Sequence, residues 1–359
     1  MIRVLHVLNN LGSGGAESFV MNIYRNIDRT EVQFDFLIRS NQNGSMVKEI
    51  SDMGGKVFIL PSFPKHVFEN YRKLDYFLRN HSCEYTAIHV HANALIYVKP
   101  LQLAEKYKIP IRIIHSHSTN SKMALLHKVN ILRIDKWCTT RFACSELAGE
   151  WMFPKRQYKI IPNGISLERF KFNNYDRDKV RKIYDLDNKI VIGHVGRFTT
   201  PKNHPFIINL FEEYHKRNRD SALMLVGDGE NKEHIKMLVK EKGLTDSVFF
   251  VGAVSNVWEY MSAMDIFLFP SFYEGFGIVL LEAQANGLPC VVSNVISNLA
   301  IVNENIVSLG LDKGLDVWLK ALEQLNSERL DVLNDALYVY DIKKVSRDLE
   351  LFYQKQVLT

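Results

Sequence analysis

The chain has 359 residues, of which 47% are hydrophobic, and a formal net charge of +5. This length is too great for one ordinary domain and sufficient for two domains that each bury a core. Its four cysteines have neither CxxC nor metal-ligand spacing, no apolar run approaches the roughly 18 residues of a membrane span, and MIRVLHVLNN is typical of a strand, not of a signal peptide. Any membrane contact must therefore be peripheral, and we expect a cytoplasmic protein in a reducing compartment.

The charge is unevenly distributed along the chain. Residues 1–170 contain 23 Lys and Arg against 14 Asp and Glu, a net charge of +9, so the remaining residues carry a net charge of −4. The basic half is expected to meet an anionic partner.

Strand-like apolar runs alternate with segments long enough for helices along the whole chain. The first half has RVLHVL, QFDFLI, KVFIL, AIHVHA, IRIIHSH, RFACS and YKIIP, and the second has KIVIGHVG, ALMLVG, VFFVG, DIFLFP and PCVVS. This rhythm predicts an α/β fold with two Rossmann-like parallel-sheet domains. We place the domains at residues 1–168 and 169–338, and we expect residues 339–359 to form an amphipathic helix that crosses back onto the first domain.

The loop NNLGSGGAE follows the first strand and opens the first helix. Ligands of open parallel sheets bind beyond the carboxyl ends of strands, so this loop is a candidate binding element. It does not fit a dinucleotide fingerprint, because Glu17 stands where the third glycine belongs and the second strand ends in Arg39 and Ser40 instead of an acid. We expect Gly14 and Gly15 to let a phosphate or an acceptor approach the backbone closely.

Two successive strands of the first half carry histidine pairs, His89 with His91 and His115 with His117. Alternation along a strand puts both members of each pair on one face, as in a metal site. No cysteine or carboxylate joins them at a useful spacing, so we predict no metal there. His117, at the carboxyl end of its strand, is expected to hydrogen-bond a polar ligand.

The loop VGRFTTPKNH places Arg197 and Lys202 just after the first strand of the second half. Two cations at this sheet edge can clamp a diphosphate and neutralise the charge that grows on a departing nucleoside diphosphate. The alternative is that both are solvated surface residues. Acidic D-x-D pairs lie in a polar stretch before the second sheet and are interpreted as solvated: Asp176 with Asp178 and Asp185 with Asp187. A metal is not required if Arg and Lys supply its charge.

A further candidate loop is PSFYEGFGIVLLEAQANGLP, residues 270–289, which leads from a buried strand into a helix. Glu274 lies in the loop and Glu282 more than a turn inside the helix, so both carboxylates serve one site only if a ligand lies between them. Taken singly, each glutamate is explained as well without a ligand as with one: Glu274 by the dipole of the helix that it precedes, and Glu282 by solvation. Gly275 and Gly277 favour a site, because glycines at a helix N-terminus let N–H groups approach a phosphate.

Residues 121–141, SKMALLHKVNILRIDKWCTTR, combine cations with an apolar stripe. The cations are Lys122, Lys128, Arg133, Lys136 and Arg141, and the apolar residues are Met123, Leu125, Leu126, Val129, Ile131, Leu132 and Trp137. One helix over this segment either faces the core with a solvated basic back or docks on an anionic membrane. We predict the docking role.

Taken together, GSGGAE, HSHST, PNGIS, VGRFTTPKNH, LVGDGE and PSFYEGFGIVLLEAQANGLP resemble, nearly end to end, the family 4 glycosyltransferases of GT-B architecture. The chain is most similar to bacterial enzymes that build exopolysaccharide, capsule or lipopolysaccharide. The resemblance implies two Rossmann-like domains that face a central cleft, the first binding the acceptor and the second the nucleotide sugar. The chain departs from the family after PCVVSN, where many members carry a glycine-rich segment and this one has VISNLAIVNENIVSLG.

The resemblance also implies a role for each matching residue. Arg197 and Lys202 match the basic pair that binds the donor diphosphate, and His117 matches a histidine that lies near the sugar. Glu274 matches the first glutamate of the E-x7-E motif, which contacts sugar hydroxyls, and Glu282 matches the second, which binds the ribose hydroxyls. Gly14 and Gly15 match the glycine loop that faces the donor diphosphate. Gly275, Phe276 and Gly277 match the loop that presents its backbone to the sugar and phosphate of the donor.

The expected activity is the transfer of a hexose-type sugar from a nucleoside diphosphate, expected to be UDP, to a lipid-linked or saccharide acceptor. The transfer is expected to retain the anomeric configuration and to need no metal. The expected role is in bacterial surface polysaccharide synthesis. The catalytic residues would be Arg197, Lys202, Glu274 and His117. We expect no cofactor, no nucleic-acid partner, and peripheral association with the inner face of the cell membrane. Two alternatives stay open: a UDP-sugar epimerase of the same architecture, and a non-catalytic carbohydrate-binding protein.

Overall fold

The structure, a computed structural model, describes residues 1–12, 14–40, 46–118, 124–274, 276–325, 327–331 and 333–358. The chain divides into two compact units, Met1–Gly164 with Val339–Thr359, and Ile165–Tyr338. The first division falls after Gly164, where the sequence analysis placed it after residue 168. Among the described helices, none is both long enough and apolar enough to cross a membrane.

A parallel sheet of seven strands, ordered β3-β2-β1-β4-β5-β6-β7, forms the centre of the first unit. Its strands are β1 (Ile2–Leu8), β2 (Val32–Ile38), β3 (Val57–Ile59), β4 (Ala87–Ala92), β5 (Ile111–Ser116), β6 (Thr140–Ala143) and β7 (Lys159–Ile160). Its helices are α1 (Gly15–Asn26), α2 (Met46–Asp52), α3 (Val67–His81), α4 (Lys99–Lys106), α5 (Ala124–Ile131), α6 (Ile134–Trp137), α7 (Glu146–Met152) and α15 (Ile342–Leu358).

Alternation along β1 builds a core on both faces of this sheet, because successive side chains of a strand point to opposite faces. Val4 packs in one apolar cluster and Leu5 in the other. The C-terminal helix α15 belongs to the first of these clusters, where Leu349 and Tyr353 are buried. The end of the chain is therefore part of the first unit.

The second unit contains a parallel sheet of six strands in the order β10-β9-β8-β11-β12-β13. Its strands are β8 (Ile190–Val195), β9 (Ser221–Val226), β10 (Val248–Gly252), β11 (Ile266–Phe269), β12 (Cys290–Ser293) and β13 (Ile306–Leu309). Its helices are α8 (Leu167–Phe170), α9 (Asn174–Ile183), α10 (His204–Arg217), α11 (Lys232–Glu241), α12 (Val257–Ala263), α13 (Ile278–Ala285) and α14 (Leu315–Gln324).

The two sheets share one topology, since each runs outward from its first strand in both directions. The order switches between β1 and β4 in the first unit and between β8 and β11 in the second. Such a switch leaves a crevice at the carboxyl ends of the two strands, which is where open α/β sheets bind ligands. The prediction of two Rossmann-like parallel sheets is confirmed, and its twelve strands are all present.

Two details of the fold differ from the prediction. The predicted strands do not include β13, which lies in the segment that departs from the family pattern. The predicted single helix over residues 121–141 is two helices, α5 and α6, because the chain turns at Leu132 and Arg133. The turn lets Ile134 and Trp137 enter the core.

Candidate functional site

Two loops meet beyond β8 and β11, at the switch point of the second sheet. The loop after β8 carries Arg197 and Lys202, and the loop after β11 carries Glu274. Their backbones are joined, because Phe272 N donates to Pro201 O at 2.8 Å. The strand order thus places the predicted cations and the first predicted glutamate on one crevice.

Lys202 and Glu274 form a direct ion pair in this crevice. Lys202 Nζ donates to Glu274 Oε1 at 2.5 Å, and the two side chains are only 19% and 11% exposed. Ser271 Oγ donates to the same carboxylate oxygen at 2.7 Å, and Lys202 Nζ lies 4.7 Å from the ring centroid of Phe269. The sequence analysis gave these residues separate ligand contacts and did not predict that they touch each other.

Arg197 differs from Lys202 in being exposed. In the described ranges no carboxylate pairs with its guanidinium. Its loop packs closely on the next strand end, where a side chain on Gly227 would place its Cβ 2.0 Å from Gly196 O. Glycine at position 227, with φ of +141°, is therefore required to hold the Arg197 loop in this place. The arrangement presents one free cation beside a paired one.

Glu282 lies on the helix that follows, α13, and is half-buried. No described residue forms an ion pair or a hydrogen bond with its carboxyl group. Burial raises the pKa of Glu282 to about 8. A carboxyl group held in low-polarity surroundings without a partner is mostly protonated near pH 7, and it becomes a strong acceptor for ligand hydroxyl groups when it ionises.

The start of α13 lies between the two glutamates along the chain. Gly277 adopts φ of +78° and is the residue before the first helical turn, and Phe276 is buried. The first N–H groups of a helix have no partner within the helix, so they can bind an anion. Gly275, which was assigned to the same loop, lies outside the described residues.

In the first unit, His117 ends a chain of three imidazoles, of which those of His6 and His91 are buried and that of His117 is half-buried. His6 Nδ1 shares a hydrogen bond with His91 Nε2 at 2.9 Å, and His91 Nδ1 shares one with His117 Nε2 at 2.8 Å. The outer nitrogens, His6 Nε2 and His117 Nδ1, are buried without a partner among the described residues. Burial lowers the pKa of both end histidines to about 3, so the chain is neutral at pH 7. A neutral imidazole has one N–H group, on either Nδ1 or Nε2. The tautomers of the three linked imidazoles therefore decide whether His117 Nδ1 donates a hydrogen bond to a ligand or accepts one.

A second histidine chain runs beside the first. Tyr353 of α15 bonds His89 Nδ1 at 2.7 Å, and His89 Nε2 bonds His115 Nδ1 at 3.2 Å. Triplets of these five histidines lie close enough to hold one ion. However, neighbouring rings are stacked, as with the 12° interplanar angle of His89 and His91, whereas ligands of one ion point toward a common centre. This geometry favours a hydrogen-bonded network over a metal centre.

His117 also lines a cavity of about 530 Å³ at the switch point of the first sheet, here called the first-unit pocket. Gly14 and Gly15 form part of its wall, as do Glu17, Arg39 and Tyr97. A Cβ on Gly14 would lie 2.2 Å from Glu17 Oε2, so the glycine leaves room for that carboxyl group. The predicted residues of the first domain therefore share one pocket.

The chain matches known proteins over most of its length. Residues 13–169 match the family described as Glycosyltransferase Family 4, and residues 176–308 match Glycosyl transferases group 1. EpsF of Bacillus subtilis (strain 168) is 33% identical over 338 residues, which cover 89% of this chain and 86% of EpsF. The chain belongs to the family 4 glycosyltransferases.

A further relative and two solved structures are also similar to the chain, and the structures show its fold. CapH of Staphylococcus aureus, named as a capsular polysaccharide biosynthesis glycosyltransferase, is 24% identical over 100% of both chains. The crystal structure of Anabaena HepE in complex with UDP has a TM-score of 0.80 at 17% identity, covering 99% of this chain and 100% of that one. A glycosyltransferase from Rickettsia africae has a TM-score of 0.82 at 15% identity, covering 99% and 98%. The predicted GT-B fold is confirmed.

The structure of this glycosyltransferase adds residues that the sequence analysis missed. Ser271 holds Glu274, and Arg39 and Tyr97 line the first-unit pocket. Arg39 was considered only as the wrong residue for a dinucleotide site. Its position directly after a strand, at the carboxyl edge of the sheet, was the available signal.

Proposed function

We propose that this family 4 glycosyltransferase is a retaining, metal-independent enzyme that transfers a hexose-type sugar from a UDP-sugar to a lipid-linked saccharide. The observation that carries the proposal is the ion pair of Lys202 with Glu274, which joins the loop after β8, where Arg197 is exposed and unpaired, to the loop that leads from β11 into α13. Two cations and a helix N-terminus suit a diphosphate.

In this proposal each group contacts one part of the donor. Glu282 accepts hydrogen bonds from the ribose hydroxyl groups, and Glu274 contacts hydroxyl groups of the transferred sugar. Arg197 and Lys202 hold the diphosphate together with the backbone of residues 275–277. Lys202 then lies between the sugar-binding carboxylate and the leaving phosphate, which its contact with Glu274 supports.

The chemical step would break the bond between the anomeric carbon and the diphosphate oxygen while the acceptor oxygen attacks from the same side. An oxocarbenium-like sugar develops, and the negative charge that grows on UDP is countered by Arg197 and Lys202. The departing phosphate oxygen takes the proton of the acceptor hydroxyl group. His117 is neutral at pH 7, so it contributes a hydrogen bond to the sugar and not a positive charge.

The names of similar proteins support a role in surface polysaccharide synthesis. CapH is named for capsular polysaccharide biosynthesis. An Escherichia coli enzyme, 29% identical over 204 residues that cover 54% of this chain, is named as a galactosyltransferase acting from UDP-Gal on GlcNAc-diphosphoundecaprenol. HepE binds UDP in its crystal structure. We therefore propose a UDP-sugar as donor and a saccharide on a lipid diphosphate as acceptor.

UDP affinity tests the donor site and the proposed function together. Replacing Glu282 by Ala should weaken UDP by about 1.5 to 3 kcal/mol, roughly 10- to 150-fold in Kd, because a hydrogen-bonded carboxylate is lost. Glu274→Ala should leave UDP affinity nearly unchanged but impair binding or transfer of the sugar. Titration calorimetry with UDP alone separates the two, and equal losses would contradict the assignment.

The UDP affinity measured in the same titration should depend on pH. The pKa of free Glu282 is about 8, and ribose hydroxyl groups bind its ionised form best. UDP binding should release a proton near pH 7, and affinity should rise with pH up to about 8. Glu282→Gln removes this dependence.

A separate incubation with UDP-sugar alone should give slow donor hydrolysis, and appearance of an epimer would indicate an isomerase instead.

We also propose that the protein is cytoplasmic and binds the inner face of the membrane through α5. The side of α5 that faces the fold is polar: His127 and Asn130 are buried, and both bond the backbone of Leu95. Ile131 packs against the core, but the other apolar side chains are exposed, with Leu125 on α5 79% exposed and Leu132 just after α5 78% exposed. A surface helix normally has the opposite arrangement.

Cations surround this exposed apolar surface. Lys128, Arg133 and Lys136 are exposed, whereas Arg141 is bonded to Asp135 and does not add a free charge. Lys122 and Met123 lie outside the described residues. Together with the net charge of +9 of residues 1–170, the combination of leucines and free cations suits an anionic bilayer.

Vesicle sedimentation tests this contact. The protein should co-sediment with phosphatidylglycerol vesicles and not with neutral ones, and raised salt should release it, since each Lys or Arg contributes about 1 kcal/mol at most near such a surface. Lys128→Glu with Arg133→Glu should weaken binding, and so should Leu125→Ser with Leu132→Ser. The matched control is Lys48→Glu with Lys108→Glu, which changes two exposed lysines on other parts of the first unit. Equal binding to both vesicle types, or to neither, would overturn the proposal.

A further inference from the structure

Arg39 is held in the first-unit pocket in an unusual way. It follows β2 and is half-buried, with its guanidinium carbon 4.3 Å from the ring centroid of Tyr97 and 5.2 Å from that of Phe63. Tyr97 is fixed in turn, because its hydroxyl group donates to Asn70 Oδ1 at 2.7 Å. Stacking on rings positions a guanidinium without using its N–H donors. Those donors remain available to a ligand.

The charge of Arg39 is not neutralised by the protein. No described carboxylate pairs with it, and the segments outside the description contain neither Asp nor Glu. Other partly buried arginines of this unit do have partners: Arg3 pairs with Asp35 at 2.7 Å, and Arg112 donates to the Trp137 carbonyl at 2.9 Å. A half-buried cation without a partner is costly unless a ligand supplies the counter-charge.

The same pocket holds an acid that does not pair with Arg39. Glu17 is buried, no described Lys or Arg pairs with it, and burial raises the pKa of its carboxyl group. Glu17 offers hydrogen bonds to hydroxyl groups of a saccharide, whereas Arg39 offers a fork of donors with a positive charge. The pocket therefore combines a part suited to a sugar with a part suited to an anion.

We infer that Arg39 binds a phosphate group of the acceptor and makes the enzyme select saccharides carried on a diphosphate over neutral saccharides. This inference rests on the proposed function and adds to it the residue that reads the acceptor's charge. The bidentate donors of Arg suit phosphate oxygens, and the pocket volume of about 530 Å³ accommodates a sugar with its phosphate.

The test compares two probes by titration calorimetry, with the donor site filled by saturating UDP. The first probe is the decyl diphosphate ester of GlcNAc, and the second is decyl GlcNAc without phosphate. The wild-type protein should bind the first at least tenfold more tightly. Arg39→Gln should abolish this preference, Arg39→Lys should keep part of it, and neither should change the Kd of UDP. Arg72→Gln, which removes an exposed charge from the same unit, is the matched control and should keep the full preference.

Each other outcome decides a different question. Equal binding of both probes to the wild-type protein, or equal loss of both in a folded Arg39→Gln variant, would overturn the inference. Inorganic pyrophosphate should bind more weakly than the first probe, and equal binding would mean that the pocket reads free diphosphate and not a saccharide. A change in UDP affinity on Arg39→Gln would assign Arg39 to the donor. Absence of UDP binding to the wild-type protein would instead contradict the proposed function.

Discussion

Replacing Lys202 by Ala should lower kcat/KM for sugar transfer about 30- to 1,000-fold, which corresponds to about 2 to 4 kcal/mol of lost transition-state stabilisation. The reason is the position of its ammonium group, which lies in a partly buried crevice where water screens charge poorly. Negative charge appears on the leaving diphosphate only as the glycosidic bond breaks, so the loss should fall mainly on kcat. Arg197→Ala should have an effect of the same order.

The ion pair makes this prediction more specific. In Lys202→Ala the carboxylate of Glu274 keeps only Ser271 as a bonding partner among the residues described, so the variant also loses folding stability. A double-mutant cycle with Glu274→Ala separates these effects, because residues in contact show a coupling energy and independent residues do not. Lys182→Ala, an exposed lysine of the same unit, is the control for charge alone.

The assay also tests whether a metal is needed. With Arg197 and Lys202 supplying the charge, EDTA should leave the wild-type rate unchanged. The D-x-D pairs Asp176/Asp178 and Asp185/Asp187 precede β8, on the opposite end of that strand from the crevice, and three of the four residues are exposed. Loss of activity in EDTA with recovery in magnesium or manganese would contradict metal independence.

The fold could be predicted because parallel sheets buried on both faces leave continuous apolar runs in the sequence. The order of the strands in each sheet also locates the crevice, since the loops that follow the two strands at a switch point must converge. β13 was missed for a related reason: as an edge strand its residues are only partly buried, Ser308 is exposed, and IVSL has no clear pattern.

Side-chain contacts between loops could not be predicted in the same way. The pairing of Lys202 with Glu274 spans 72 positions and depends on how two loops bend. The orientation of α5 was also hidden, because its spacing of leucines suits a core-facing helix equally well. The polar contacts of His127 and Asn130 with Leu95 decide which side faces the fold, and no local pattern marks residues that bond a distant backbone.

The first unit should lose stability steeply as pH falls from 7.5 to 5. His6 and His117 have a pKa of about 3 when folded, against about 6.5 in an unfolded chain. Between these values the unfolded state binds more protons, so stability rises with pH across this window and is level above about pH 7. At pH 5 each of the two histidines should cost about 2 kcal/mol. Burial also lowers the pKa of His89, His91 and His115.

Other titratable groups also make the free energy of unfolding depend on pH, some raising it and some lowering it on acidification. Burial raises the pKa of Glu17 in the first unit. In the second unit burial raises the pKa of Glu282 to about 8. A raised carboxyl pKa adds stability on acidification, so the two units must be followed separately. In the second unit burial lowers the pKa of His204 to about 4, which partly cancels the effect of Glu282.

Hydrogen exchange resolved by peptide, corrected for the intrinsic pH dependence of exchange, follows each unit. Protection of β1, β4 and β5 should fall by about 4 kcal/mol or more between pH 7.5 and pH 5, and His6→Leu should reduce that fall by about 2 kcal/mol. His81→Leu, which changes a more exposed histidine of the same unit outside the imidazole chain, is the control for the loss of a histidine side chain. Equal slopes for His6→Leu and the wild-type protein would mean that His6 takes up its proton at the same pH in the folded and unfolded states. Burial would then not keep the imidazole chain neutral on acidification, and the neutral hydrogen-bonding role of His117 in the proposed mechanism would lose its support.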